Sequence, residues 1–116
     1  DVNGDGLDDL IVGALFDDPN GSGSGASFVV FGKTGTAAVQ LSAVEAGNGG
    51  FVINGASAGD RSGWSVSSAG DVNGDGFDDV IVGAPNLNGN GSTSGAFNNR
   101  ARLQICITTC DVDNVV

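Results

Sequence analysis

The sequence repeats itself at an interval of seventy residues. Residues 1–15 read DVNGDGLDDLIVGAL and residues 71–85 read DVNGDGFDDVIVGAP, which are identical at twelve of fifteen positions. The same offset relates Ser24-Gly25-Ala26 to Ser94-Gly95-Ala96. Self-similarity at a fixed period is typical of stacked structural units. We therefore expect one complete unit over residues 1–70 and the start of a second over residues 71–96.

The repeat stops at Phe97. Where the first unit continues as SFVVFGK from Ser27, the second continues as FNNRARL. A reading-frame shift or truncation is one explanation, and genuine divergence is the other. Either way, residues 97–116 lack the apolar strand pattern of the first unit, and we expect this tail to be poorly packed and open to proteases.

Short strands separated by tight turns are predicted along the whole repeat. The chain has 21 glycines in 116 residues and no Gly-X-Y period, which favours many turns over helices or a collagen-like structure. Only residues 40–46 resemble a helical turn. Four strands per unit is the content of one propeller blade. We predict an all-β fold, a β-propeller fragment of about one and a half blades of four-stranded antiparallel sheet, with strands at residues 10–12, 27–31, 51–53 and 63–68 in the first unit.

Acidic residues cluster in two loops, Asp1–Asp9 and Asp71–Asp79, which hold eight of the fourteen acids in the chain. Oxygen-bearing side chains recur at every second position, and glycines between them permit a tight wrap. Calcium takes six to eight oxygen ligands at roughly 2.3–2.6 Å, and the seventh position can supply a backbone carbonyl. We predict two Ca²⁺ sites, whose candidate ligands are Asp1, Asn3, Asp5, Leu7 and Asp9, and Asp71, Asn73, Asp75, Phe77 and Asp79.

Three alternatives fit these loops less well than calcium does. A surface Asn-Gly or Asp-Gly turn with exposed acids is the simplest, but two near-identical copies disfavour it. Magnesium prefers a stricter octahedron and keeps its waters. An EF-hand needs an acidic ligand at the twelfth position, where this chain has Val12 and Val82, and the residues that follow favour a strand over a helix.

The composition excludes several functions. With no histidine in the chain, Ser-His-Asp and Cys-His arrangements cannot form, so we expect no enzyme. A net charge of −10 makes a nucleic-acid partner unfavourable, and no apolar stretch is long enough to insert into a membrane. Trp64, the single tryptophan, is expected to pack in the core or between blades.

The acidic loops and the strands after them resemble the FG-GAP repeat of integrin-α β-propellers and of large bacterial surface proteins. Gly83-Ala84-Pro85 matches the family's Gly-Ala-Pro, whereas Gly13-Ala14 is followed by Leu15, and no Phe-Gly pair occurs near Gly63-Trp64. Both loops match the D-x-[DN]-x-D-G-x-x-D calcium motif. The resemblance places side-chain ligands on the same eight Asp and Asn residues, and it leaves Asp8 and Asp78 outside the ligand set.

This resemblance implies a secreted or extracellular-surface protein that serves adhesion or scaffolding. Its partners would be the other blades of the same propeller and an extracellular protein or carbohydrate ligand. Two alternatives remain open: a non-catalytic propeller portion of a secreted hydrolase or phospholipase, and a calcium-dependent linker array without propeller closure.

Overall fold

The chain forms two three-stranded antiparallel sheets, seen in a computed structural model that describes residues 1–85 and the backbone of Arg102–Cys106. The first sheet has the order β1-β2-β3 and the second the order β4-β5-β6. A single short helix, α1, lies between β2 and β3. The elements are β1 (Leu10–Ala14), β2 (Ala26–Val30), α1 (Leu41–Glu45), β3 (Gly50–Asn54), β4 (Ser65–Gly70), β5 (Asp79–Ala84) and β6 (Arg102–Cys106).

One face of the first sheet packs against the second sheet. Because paired residues of antiparallel strands share a face, Val29 and Ile53 lie on the same side of the first sheet. They form one buried cluster with Val80 and Val82 of β5. Ile11, Phe31, Phe51 and Val66 extend this cluster at its margins.

The opposite face of the first sheet is covered only in part. Val44 of α1 is buried against Phe28 and Val30 of β2. Leu10 pairs with Val30 and Val12 pairs with Phe28, so both lie on this face, yet they are 66% and 42% exposed. The repeat relates Leu10 and Val12 to Val80 and Val82, which are 4% and 0% exposed. Equivalent positions are therefore buried between the sheets in one copy and open in the other.

The all-β prediction is confirmed, and the first four strands and the short helix lie where the sequence predicts them. The sheets do not coincide with the units of seventy residues. The last strand of the first unit, β4, joins the second sheet, where it pairs with β5 from Ser65↔Gly83 to Gly70↔Asp79. It does so because its partner is the strand at the far end of the next acidic loop. Within the described residues each sheet therefore has three strands, not four.

The tail also differs from expectation at the five residues that the structure describes. Arg102–Cys106 form β6, which pairs with β5 from Val80↔Cys106 to Ala84↔Arg102. In the first sheet the equivalent partner strand starts at Ala26, whose counterpart in the repeat is Ala96. The paired segment therefore begins later in the second copy. The other residues of 97–116 lie outside the described part of the chain.

Over the residues that the structure describes, no helix combines the length and apolar character needed to cross a bilayer.

The matched positions Val82 and Val12 give a direct test of the packing between sheets. We expect Val82→Ala to lower the free energy of unfolding by about 2 kcal/mol, because two methyl groups leave a closed core. Val12→Ala should change it by less than about 0.5 kcal/mol, because this side chain is partly in water. Urea unfolding followed by circular dichroism measures both. Equal losses would show that the cluster between the sheets does not stabilise the fold.

Candidate metal sites

The first acidic loop, residues Asp1–Asp9, wraps around the carboxylate of Asp1. One oxygen of this carboxylate accepts hydrogen bonds from the backbone N–H groups of Gly4 at 2.7 Å and Asp5 at 3.0 Å. The other accepts from Gly6 at 2.9 Å. Successive N–H groups aimed at one carboxylate fix its position in the turn and offset part of its charge.

The second acidic loop, residues Asp71–Asp79, repeats this wrap. Asp71 accepts from Gly74 at 2.7 Å, from Asp75 at 3.0 Å and from Gly76 at 2.8 Å. The turn requires a positive φ at its fourth residue, and Gly4 and Gly74 both have φ of 76°. Glycine adopts this backbone conformation without strain, which explains why the loops contain glycine there.

The third and fifth residues of each loop are linked side chain to side chain. The amide of Asn3 donates to Asp5 at 3.0 Å, and that of Asn73 donates to Asp75 at 2.8 Å. The other oxygen of Asp5 accepts from the backbone N–H of Leu7 at 2.8 Å. The candidate ligands at the first, third and fifth positions are therefore brought together by one hydrogen-bond network.

The ninth residue closes each loop, but it does so differently in the two copies. One oxygen of Asp9 accepts from Val2 at 2.7 Å and the other from Gly32, beyond β2, at 2.7 Å. Asp79 likewise accepts from Val72 at 2.9 Å. Its second oxygen, Oδ1, is buried and has no hydrogen-bond partner among the described residues. Only 1% of Asp79 is exposed.

The donor set of these loops suits calcium in chemistry. Carboxylate oxygens, an amide oxygen and backbone carbonyls are all hard ligands of the kind that calcium takes. In residues 1–85, however, no three Asp, Glu, His or Cys side chains gather closely enough to hold a metal by themselves. A cation would therefore need the Asn and carbonyl oxygens as well. The buried Oδ1 of Asp79 is the one loop oxygen whose surroundings call for a positive partner, because a desolvated carboxylate without one is costly.

The two loops touch each other. The backbone N–H of Asp78 donates to the carbonyl of Asp1 at 3.1 Å. The backbone nitrogen of Asp1 donates a hydrogen bond to the Asp78 carboxylate at 2.9 Å. The ring of Phe77 lies against Gly4. Asp78 therefore acts between the loops, although the motif leaves it outside the ligand set.

Sequence reasoning missed the contribution of Gly32, whose N–H reaches Asp9, because nothing in the spacing of residues 9 and 32 indicates that they meet. A core position for Trp64, one of the two expected, is not observed. This residue is 56% exposed, and the guanidinium of Arg61 lies 5.9 Å from its ring centroid. Arg61 has a φ of 55°, which is unusual for a residue other than glycine.

Substitutions of Asp9 and Asp79, measured in the absence of calcium, separate the roles of these two ninth-position residues. Asp9→Asn should lower the free energy of unfolding by about 1–3 kcal/mol, because one carboxylate oxygen that accepts an N–H becomes an amide donor. Asp79→Asn should cost less, or stabilise, because it removes a buried charge and keeps an oxygen for Val72. Urea unfolding in excess chelator measures both variants. A larger loss for Asp79→Asn would contradict the assignment of an unpaired oxygen there.

Comparison with known proteins agrees with this geometry. The profile of the FG-GAP repeat matches residues 1–30 and 62–96, which include both acidic loops and the strands that follow them. Integrin alpha-PS2 of Drosophila melanogaster is 36% identical over 89 residues, which is 73% of this chain. The chain spans 6% of the length of that protein. The chain belongs to the FG-GAP repeat family, and its two antiparallel sheets are part of a β-propeller of the kind that this family forms.

Proposed function

We propose that this chain is a calcium-stabilised propeller segment of a secreted or cell-surface protein, and that it serves adhesion or scaffolding. The observation that carries the proposal is the buried Oδ1 of Asp79, which closes a loop of oxygen ligands and has no partner in the part of the chain that the structure describes. The candidate ligands are the side chains at the first, third, fifth and ninth loop positions and the carbonyls of Leu7 and Phe77.

Calcium would act here as a structural ion. Each loop carries three candidate carboxylates, and neither loop contains a Lys or Arg. A divalent cation offsets their mutual repulsion and links the entry of the loop to its exit. Extracellular calcium modules bind in the range of about 10⁻⁴–10⁻³ M, which calcium outside the cell can saturate. The similarity to integrin alpha-PS2 supports an extracellular location.

A surface for a partner is available at the end of the sheets away from the acidic loops. β1 leads away from the first loop and ends just before Phe16, which is 74% exposed. β4 leads into the second loop and begins just after Trp64, which is 56% exposed beside Arg61. Exposed aromatic and arginine side chains are enriched in binding surfaces. We propose this end for contact with an extracellular protein or carbohydrate.

Calcium should raise the melting temperature of this chain more than magnesium at the same concentration. The reason is that flexible loops of six or more oxygens accommodate calcium, whereas magnesium holds its waters. Melting curves recorded by circular dichroism in chelator, in millimolar calcium and in millimolar magnesium test this. Identical melting curves in calcium and chelator would refute the proposed function.

The second loop should bind calcium more tightly than the first. β4 and β5 pair across it down to Gly70↔Asp79 and hold its two ends together. In calorimetric titrations with calcium, Asp79→Ala should lack the tighter class of site. Asp9→Ala should lack the weaker class. The reverse assignment would show that strand support does not set the affinity.

A further inference from the structure

The first and second acidic loops interlock through a side chain that the calcium motif does not specify. A Cβ atom built on Gly4 would lie 2.4 Å from Cε1 of Phe77, well inside van der Waals contact. The ring therefore occupies the space that any other residue at position 4 would need. Gly4 lies in the turn that wraps the Asp1 carboxylate, so the ring of one loop rests on the wrap of the other.

A backbone hydrogen bond accompanies this contact. The N–H of Asp78 donates to the carbonyl of Asp1 at 3.1 Å. Asp1 is a candidate ligand of the first site, and Phe77 offers a candidate carbonyl ligand to the second. The contacts between the loops therefore involve Asp1 and Phe77, or residues next to them in the chain. A cation bound in either loop would fix these residues.

The residues of the first loop are less exposed to solvent than their counterparts in the second loop. Asp1, Asn3 and Leu7 are partly buried, whereas the equivalent residues of the second loop, Asp71, Asn73 and Phe77, are exposed. Gly74 has the same φ as Gly4, but a Cβ there would meet nothing within 4 Å. The second loop therefore supports the first and receives no such support from the described residues.

We propose that calcium in the second loop raises the calcium affinity of the first by fixing Phe77 against Gly4 and the N–H of Asp78 against Asp1. This inference rests on the proposed calcium function. A loop whose contact with the neighbouring loop is already fixed loses less conformational entropy when it binds calcium. By linkage, calcium in the first loop raises the affinity of the second by the same factor.

The coupling is measured by nuclear magnetic resonance on the whole chain during a calcium titration. The backbone amides of Gly6 and Gly76 report the first and second loop separately. Asp75→Ala removes a ligand of the second site, and we expect it to weaken binding at Gly6 by about five-fold or more, the low end of ordinary coupling between sites. Asn73→Ala is the second variant if Asp75→Ala disturbs the amides of β5.

Phe77→Ala tests the route of the coupling, since it keeps the carbonyl and every carboxylate. In this background, adding Asp75→Ala should weaken the affinity at Gly6 by a smaller factor than it does in the wild type, because only the hydrogen bond from Asp78 to Asp1 still joins the loops. The coupling is refuted if the amides of both glycines respond to calcium but the affinity at Gly6 is the same in the wild type and in Asp75→Ala. That outcome would still support the two calcium sites. Amides that do not respond to millimolar calcium contradict the proposed function itself.

A matched pair of glycines checks the contact without any metal. Gly4→Ala and Gly74→Ala impose the same backbone strain, but only the first meets the ring. In chelator, Gly4→Ala should lower the urea midpoint more than Gly74→Ala does, and Phe77→Ala should remove the difference. Equal midpoints for the two single variants would show that the ring does not hold the loops together.

Discussion

The packing of Val80 and Val82 against Val29 and Ile53 brings the two sheets together, and the position of both acidic loops depends on it. The sheets approach so closely that their backbones meet. A Cβ on Gly13 would lie 2.1 Å from the carbonyl oxygen of Gly63, so a side chain there would force the sheets apart. Because each loop leads directly into a strand of this packed pair, the loops themselves come into contact.

Negative charge then becomes the main cost of the arrangement. Eight acids lie in two loops that touch. Backbone N–H groups offset part of this charge at Asp1 and Asp71, where three donors converge on each carboxylate. At Asp79 one buried oxygen has no such partner within the described residues. Burying a carboxylate without a partner is strongly unfavourable, so the proposed cation would stabilise the same structure that the hydrophobic contact between the sheets stabilises.

The sequence predicted what depends on local pattern. The period of seventy located both loops, and short apolar runs located β2 and β3, because turns and buried strands leave a signal within a few positions. The sequence was less informative about contacts between residues that lie far apart in the chain. The hydrogen bond from the N–H of Gly32 to Asp9 is one such contact. The contact of Phe77 with Gly4 spans the repeat and could be recognised only from coordinates.

The mismatch between sequence unit and sheet has a consequence for how such proteins grow. Since β4 belongs to the first repeat in sequence and to the second sheet in space, each copy carries the opening strand of its successor. A gene duplication of seventy codons therefore delivers a complete set of strand pairings whichever codon it starts from. The recombination event needs the right length and not the right boundary.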